Sequence, residues 1–358
     1  MSYVLAFLGF SLLVLLHELG HFAAAKAVGM RAERFSLFFP PHLLKIRRGE
    51  TEYCIGAIPL GGYVRITGMS PNEELEGEAK ERAYVNQPVW KRIVVIAAGP
   101  AMNILVAFLI LFGLFLAEGV TVGTTRVASV APQAAAAQVI RAGDQIVAVD
   151  GVTGDPSRLA AQIATHRCAG TPQDGCSATT PAAVTVRRNG RLESLAITPR
   201  YDAQVGTPRL GITFASDTQP VGPFEAVRRS GDSMWRVSTR TVDAITRIFY
   251  DSSARKEVSG VVGSYEATRA SFAFDWVRAM LILAVISLSL ALVNLFPFLP
   301  LDGGHIFWAL AEKVRGRPIP YRVMERASVV GFVLVVFLFA VGLSNDIGRL
   351  LGDGFQVR

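Results

Sequence analysis

Four long apolar runs constrain the fold of this chain more than any other feature of its sequence. Each approaches or exceeds the roughly 20 residues with which an α-helix crosses a bilayer. The runs are residues 4–28, 93–117, 277–296 and 327–343. Hydrophobic residues make up 51% of the chain and charged residues only 18%, a composition that excludes an ordinary soluble protein. The sequence therefore predicts a polytopic α-helical membrane protein with four transmembrane helices.

The first run also has the composition of a secretory signal peptide, because an alanine-rich stretch follows it. A signal peptide begins with basic residues, and none precedes this run. Cleavage near Ala25 would also remove His17 and His21 from the mature protein. We therefore expect a retained helix.

The distribution of Lys and Arg predicts how the helices cross the membrane. Eleven lie in residues 26–92 and five in residues 313–326, whereas none precedes the first run. Since short basic connections remain on the cytoplasmic side, we expect these two segments inside the cell. Both termini and the long segment between the second and third helices are then extracytoplasmic. The net charge of +7 reflects these flanking residues, so we expect contact with a lipid bilayer and no nucleic-acid partner.

A β-hairpin is predicted between the first two helices. The stretch GETEYCIGAIPLGGYVRITGMS alternates apolar and polar residues around Gly61 and Gly62, which is typical of a hairpin. We expect it on the cytoplasmic side, close to the membrane. Its edge would accept an extended peptide by strand addition, so Gly61 and Gly62 are candidate substrate-binding residues.

Residues 119–215 predict a soluble domain inserted between two parts of a membrane core, residues 1–118 and 277–358. Short apolar strands alternate with the helical stretch SRLAAQIATH and with tight Asp-Gly and Asn-Gly turns. This pattern, above all AGDQIVAVDG, resembles a PDZ domain, an α+β module. The resemblance implies a groove that captures a peptide ligand, with a groove that binds nothing as the alternative.

Two features beside these strands leave alternatives open. Cys168 and Cys176 form a disulfide or remain two free thiols; an extracytoplasmic position permits the disulfide. Residues 216–276 carry apolar residues at helical spacing and predict an amphipathic helical connector. It packs against the PDZ domain, which we favour, or lies on the outer membrane surface.

The motif HELGH, residues 17–21, indicates metal chemistry inside the first apolar run. Residues four apart share a helix face, so His17 and His21 can reach one zinc ion. Glu18 is then placed to take a proton from water at the metal. Three such residues are costly in an apolar helix unless they face a polar cavity or a partner. The motif therefore predicts a zinc site with Glu18 as the catalytic residue.

A catalytic zinc site needs a third protein ligand and one open position. Asp302 is the only carboxylate in residues 277–311 and follows two prolines at the end of the third apolar run. The predicted orientation places this end and HELGH at the same, cytoplasmic side. We therefore expect Asp302 to complete the site, whereas His305 would be a fourth ligand and is not expected to bind.

These motifs together resemble the site-2 protease family of intramembrane zinc metalloproteases, closest to the bacterial regulator of sigma-E protease type. The resemblance covers nearly the whole chain. It rests on HELGH, on GPAMN in the second helix, on the PDZ insert, on IPLGGYV and on NLFPFLPLDGG. Two departures concern VSGVVGS, which has Val where the family usually has Pro, and the presence of one PDZ domain rather than two.

The resemblance implies one Zn²⁺ per chain, bound by His17, His21 and Asp302, in a protein of the bacterial inner membrane. Glu18 would activate water, and Asn294 would help to hold the substrate, with Asn103 a weaker candidate. The implied substrates are transmembrane segments of single-pass membrane proteins, such as an anti-sigma factor or remnant signal peptides. The implied process is regulated intramembrane proteolysis.

Two other classes of protein share part of this pattern. A metal transporter also carries intramembrane His and Asp, but transporters usually contain internal repeats, and the four apolar runs show none. A catalytically silent scaffold would use only its PDZ domain, and the complete set of His17, Glu18, His21 and Asp302 argues against it. Metal uptake into vesicles separates a transporter from a protease, and chelator-sensitive proteolysis separates a protease from a scaffold.

Overall fold

A computed structural model describes residues 1–69, 76–248, 250–251, 255, 260–317 and 319–351. In chain order its α-helices are α1 (Ser2–Ala27), α2 (Gly77–Glu81), α3 (Val89–Glu118), α4 (Pro156–Ile163), α5 (Pro223–Arg247), α6 (Val261–Phe274), α7 (Trp276–Asn294), α8 (Asp302–Arg315) and α9 (Tyr321–Leu351). Its strands are β1 (Ala32–Arg48), β2 (Thr51–Ile66), β3 (Val120–Val130), β4 (Gln145–Val149), β5 (Ala182–Arg188), β6 (Arg191–Ile197), β7 (Arg200–Asp202), β8 (Thr207–Arg209) and β9 (Ile212–Gln219). A short 3-10 helix spans Tyr84–Asn86.

Two units make up the chain. The first, here called the membrane unit, comprises Met1–Leu116 and Gly222–Arg358. The second, the inserted unit, comprises Ala117–Val221, compared with the predicted residues 119–215. Within the described residues, four helices are long and apolar enough to cross a membrane: α1, α3, α7 and the part of α9 from Arg322 to Leu351. They coincide with the four apolar runs of the sequence.

Two glycines allow α1 and α3 to cross at close range. A Cβ atom added to Gly20 would lie 2.3 Å from the carbonyl oxygen of Ala98, and one added to Gly99 would lie 2.2 Å from Nε2 of His21. Larger residues at either position would push the helices apart, as is typical of packed membrane helices. The Gly99-Pro100 pair lies inside α3, at this close approach.

The hairpin of β1 and β2 folds back on itself. Residues 34–37 of β1 lie between two segments of β2: they pair with residues 62–65 on one side and with residues 52–55 on the other. Residues 52–55 also pair with residues 44–47 of β1. Residues 62–66 of β2 therefore form an edge of this small sheet; we call them the edge segment. An edge strand leaves alternate backbone N–H and C=O groups free to bond outside the sheet.

The inserted unit is built around a five-stranded antiparallel sheet of order β6-β5-β4-β3-β9. Its core comprises mainly β-branched and Leu side chains, among them Val127, Ile146, Val149, Leu159, Val184, Val186 and Leu210. Helix α4 packs against β3 and β4. Cys168 and Cys176 are joined in a disulfide, which settles the alternative left open by their spacing.

The predicted connector contains helices α5 and α6. Helix α5 packs against α7 in the membrane unit, a partner that the sequence did not indicate. Helix α6 packs against α1 and α7. Residues 258 and 259, which begin the VSGVVGS stretch, lie outside the described residues.

Candidate metal centre

The protein-facing stripe of α1 carries both histidines of HELGH. Its buried residues are Ala6, Leu13, His17, Gly20, His21 and Ala25, which recur at helical spacing. The side of α1 that packs against protein is therefore also the side that bears His17 and His21. A polar pair in this position avoids the cost of facing lipid.

Asp302 is the first residue of α8, and the two glycines that follow it fix the start of this helix. A Cβ atom on Gly303 would lie 2.2 Å from the carbonyl oxygen of Leu295, and one on Gly304 would lie 2.4 Å from the amide nitrogen of Leu299. Only glycine fits so close to the preceding turn. The turn and the start of α8 therefore pack together, with Asp302 beside α1.

The three side chains converge on one point. Asp302 Oδ2 lies 3.3 Å from His17 Nε2 and 3.4 Å from His21 Nε2, and the two Nε2 atoms are 3.2 Å apart. Among the described residues, these three His and Asp side chains form a group whose ligand atoms lie close enough together to hold a metal ion. His305, on the next turn of α8, is not a member of this group.

The spacing of these atoms fits a tetrahedral zinc ion. Ligand atoms bonded at about 2.0–2.1 Å in a tetrahedral arrangement are separated by about 3.3 Å, close to the three distances measured here. Asp302 Oδ2 is buried and has no hydrogen-bond donor in the described part of the chain. Two imidazole nitrogens and a carboxylate oxygen that meet in this way are suited to share a cation.

The second nitrogen of each imidazole also has a defined neighbour. His21 Nδ1 lies 2.9 Å from the carbonyl oxygen of Val95 on α3. This bond requires a proton on Nδ1, which leaves Nε2 free for a metal, as in most metal-binding histidines. His17 Nδ1 lies 3.2 Å from the side-chain nitrogen of Asn103, also on α3.

Glu18 lies beneath the edge segment of the hairpin. The backbone N–H of Val64 lies next to its carboxylate. A Cβ atom on Gly62 would lie 2.9 Å from Glu18 Cγ and 2.9 Å from the carbonyl oxygen of Ser36. The hairpin therefore approaches the HELGH helix at the residue with the predicted catalytic role, and only glycine at position 62 permits this approach.

The predicted substrate-binding residues occupy different places. Gly62 contacts Glu18, whereas the neighbouring Gly61 lies against the ring of Phe39. Asn294 is the half-buried last residue of α7. The roles of these residues and of the three ligands stay predictions.

Sequence reasoning missed two contacts that support the centre. The Arg92 guanidinium makes a bidentate ion pair with Glu312, with nitrogen–oxygen distances of 2.6 and 3.0 Å. This pair ties α8, which carries Asp302, to α3, which carries Val95. The contact of Asn103 with His17 is the second. A signal for it exists in the sequence, since Asn is a costly residue in the middle of an apolar helix.

Two solved PDZ domains are similar to part of the chain. One, from the SdrC-like protein Lin2157 of Listeria innocua, covers 27% of this chain and 99% of its own, with 19% identity and a TM-score of 0.22. The other, from Lmo2051 of Listeria monocytogenes, covers 27% of this chain and 92% of its own, with 26% identity and a TM-score of 0.21.

Similarity over the whole chain comes from curated bacterial proteins, each named provisionally as a zinc metalloprotease. A protein of Rhizobium meliloti is 30% identical over 96% of this chain and 95% of its own length. One of Brucella suis is 31% identical over 94% of this chain and 92% of its own length. Residues 5–338 match peptidase family M50. Together with the buried His-His-Asp cluster, these similarities show that the chain belongs to peptidase family M50, the site-2 protease family, and is a membrane zinc metallopeptidase.

Proposed function

We propose that this protein is an intramembrane zinc metalloendopeptidase that cleaves the transmembrane segments of other membrane proteins. The observation that carries the proposal is the convergence of His17, His21 and Asp302 beside a strand edge that contacts Glu18. All three candidate ligands lie on or directly beside helices of membrane length. The site is therefore best placed to receive a peptide bond that also lies in the membrane.

In the proposed mechanism, His17, His21 and Asp302 hold one zinc ion per chain. A zinc ion bound here would polarise a carbonyl group as a Lewis acid and would lower the pKa of water towards about 7. Glu18 acts as the general base: its carboxylate takes a proton from the attacking water and later passes this proton to the leaving amine nitrogen. The Val64 N–H, which lies next to Glu18, would orient that carboxylate.

The substrate is bound as an extended strand along the edge segment. A helix hides its carbonyl groups in hydrogen bonds, so a transmembrane substrate must unwind locally before it is cleaved. Strand addition replaces the lost helical bonds with bonds to the hairpin backbone. The backbone of Gly61 and Gly62 binds that strand, and Asn294 also holds the substrate.

The proposed topology follows from the Lys and Arg distribution. The hairpin and the α8–α9 connection face the cytoplasm of a bacterium, and the inserted unit and both termini lie outside its inner membrane. The inserted unit then acts as a PDZ domain that screens substrates by size or binds a peptide ligand. Anti-sigma factors and remnant signal peptides are proposed substrates for regulated intramembrane proteolysis.

The substitution Glu18→Gln tests the assignment. It removes the base but keeps the size of the side chain, so we expect zinc binding within about twofold of wild type and loss of cleavage by at least about 100-fold. The measurement is cleavage of a reporter transmembrane segment by the purified full chain in detergent, followed by gel electrophoresis. Trapping with the same variant in cells, followed by mass spectrometry, identifies natural substrates.

Two outcomes contradict the proposal. Cleavage by Glu18→Gln at the wild-type rate would remove Glu18 from the mechanism. Chelator-sensitive uptake of zinc into vesicles that contain the protein, without any proteolysis, would instead support a transporter.

A further inference from the structure

Asn103 is a fully buried polar side chain close to the metal centre. It lies in the middle of the apolar helix α3 and is 0% exposed. Its Nδ2 atom is 3.2 Å from His17 Nδ1, and its Oδ1 atom is buried without a hydrogen-bond partner among the described residues. An amide with an unused acceptor is costly in such a position. The contact of this amide with His17 explains why asparagine occupies the position despite the cost.

The chemistry of a histidine ligand provides one. A neutral imidazole that binds a metal through Nε2 carries its proton on Nδ1, and that N–H needs an acceptor. His21 has one in the Val95 carbonyl oxygen, 2.9 Å away. The group at the corresponding position next to His17 is the Asn103 amide.

The two ends of an amide side chain have nearly the same shape. A half-turn about the last side-chain bond exchanges oxygen and nitrogen without moving any neighbour. With Nδ2 towards His17, Asn103 donates to a bare Nδ1, and the proton of His17 sits on Nε2. With Oδ1 towards His17, Asn103 accepts the Nδ1–H, and Nε2 is free for a metal.

We propose that Asn103 is a positioning residue that accepts the Nδ1–H of His17 in the zinc-loaded protein, and so fixes the tautomer that binds zinc through Nε2. Asparagine serves both forms of His17, as a donor before metal binding and as an acceptor afterwards. Leucine has a similar volume but neither group. The inference rests on zinc binding by His17 and concerns how that ligand is oriented.

A second contact holds Asn103 in place while its amide turns. The Ser287 hydroxyl on α7 donates to the backbone carbonyl oxygen of Asn103 at 2.9 Å, and Ser287 is also 0% exposed. The bond goes to the backbone and leaves the side-chain amide free. Three helices are thereby joined in the order α7, α3, α1, from Ser287 through Asn103 to His17.

The test compares Asn103→Leu with Asn103→Asp in the purified full chain. The measurement is zinc affinity by competition with a chromogenic chelator, which needs no substrate. Asn103→Leu keeps the volume and removes the acceptor, so we expect affinity to fall about 10- to 100-fold, as for other partners of ligand histidines. Asn103→Asp keeps an acceptor, and we expect affinity within about threefold of wild type. Thr268→Val is the matched control, because Thr268 is equally buried and its hydroxyl donates to the Ser264 carbonyl oxygen within α6.

Folding is checked by thermal unfolding of each metal-free variant. If the Asn103→Leu protein does not fold, Asn103→Ala replaces it as the variant without an acceptor. Asn103→Asp remains the variant that keeps the acceptor. A measurement without any substitution uses ¹⁵N-labelled histidine in the zinc-loaded wild type, where NMR should find His17 protonated on Nδ1.

Three results would overturn the inference. They are wild-type zinc affinity in a folded Asn103→Leu protein, equal losses in Asn103→Leu and Asn103→Asp, and a His17 that lacks a proton on Nδ1 when zinc is bound. Absence of zinc binding by the wild type would overturn the metal centre itself. Failure of the reporter cleavage alone, with zinc binding and its dependence on Asn103 intact, would contradict only the proposed activity.

Discussion

Asp302 shows at the scale of one residue why a cation belongs in this site. Its Oδ2 atom is buried, faces the Nε2 atoms of two histidines at 3.3 and 3.4 Å, and lacks a hydrogen bond within the described chain. Burial of a carboxylate charge is unfavourable unless a cation neutralises it, and a divalent cation bound between Asp302 and the two imidazoles would do so. The burial of Asp302 is therefore itself an argument for a ligand role.

Substitution Asp302→Ala tests that role. Loss of a direct ligand should reduce zinc affinity by more than about 100-fold, since loss of an indirect partner already costs 10- to 100-fold. Competition with a chelator measures it. The matched control is His305→Ala on the same helix, which should bind zinc within about threefold of wild type. A larger loss in His305→Ala would mean that His305 is itself a zinc ligand.

At the scale of an element, the edge segment of β2 is the part of the hairpin that belongs to the site. It presents Val64 N–H to Glu18 and leaves no space for a side chain at Gly62. The hairpin was predicted from alternation and a Gly-Gly pair, but its doubling into four paired segments was not. That doubling is what places residues 62–66 at an edge.

Substitution Gly62→Ala should impair catalysis without loss of the metal. The new methyl group would meet Glu18 Cγ and the Ser36 carbonyl at 2.9 Å each, so the edge segment must move. We expect reporter cleavage to fall by about tenfold or more, because small misplacements of catalytic groups are costly, and zinc affinity to stay within about threefold. Gly113→Ala is the control, since its Cβ meets no atom within 4 Å. Equal activity of the two variants would separate the hairpin from catalysis.

The turn of the hairpin is anchored by ion pairs. Hydrogen bonds from Arg82 and then from Lys26 lower the pKa of Glu50 from 4.5 to about 2. This residue lies in the turn between β1 and β2, whereas Lys26 lies in the last turn of α1 and Arg82 follows α2. One carboxylate thus connects three elements.

The depressed pKa of Glu50 predicts a pH dependence. The stabilisation is complete above about pH 4.5, where Glu50 is ionised in both folded and unfolded chains, and it is lost as pH falls towards about 2. Hydrogen exchange of the hairpin amides, corrected for intrinsic rates, should show lower protection in Glu50→Gln than in wild type at pH 7. The difference should shrink on acidification, and Glu81→Gln should behave as wild type throughout. A difference that does not depend on pH would rule out Glu50 ionisation as its cause.

At the scale of the whole molecule, the chain has two separately packed units, each with its own polar anchors. In the inserted unit the Arg188 guanidinium bonds both oxygens of Asp144, at 2.9 and 2.7 Å, and holds the pKa of that carboxyl below its ordinary value. Asp144 is 3% exposed and also accepts a bond from the Arg141 amide. This pair fastens the turn before β4 to the end of β5.

Substitution Asp144→Asn should weaken the inserted unit alone. It removes the carboxylate charge that Arg188 contacts through two nitrogens and leaves that guanidinium only its ion pair with Glu193 at 3.0 Å among its described charged neighbours, so the turn before β4 is held less firmly. Hydrogen exchange of the full chain should show loss of protection in β4 and β5, while zinc affinity stays within about twofold of wild type. Asp155→Asn is the control for an exposed aspartate that caps α4. Equal loss of protection in the membrane unit would show that the two units unfold together.

Local patterns in the sequence determined several features of this protein. Run length and composition predicted the membrane helices, because a bilayer sets the number of apolar residues. The spacing of His17 and His21 predicted a shared helix face, because four residues make about one helical turn. Asp302 was found by elimination, as a carboxylate at an apolar helix end. Each of these inferences requires only the identity of residues close together in the sequence, or the depth at which a helix ends in the bilayer.

Tertiary structure alone decided which groups support these residues. His21 meets a carbonyl 74 positions away and His17 an amide 86 positions away. These contacts exist because Gly20 and Gly99 let α1 and α3 cross at close range. In the same way, the packing of α5 on α7 and the position of the edge segment over Glu18 depend on how separate elements meet. Sequence periodicity specifies which face of a helix is buried, whereas the partner of that face depends on contacts between distant parts of the chain.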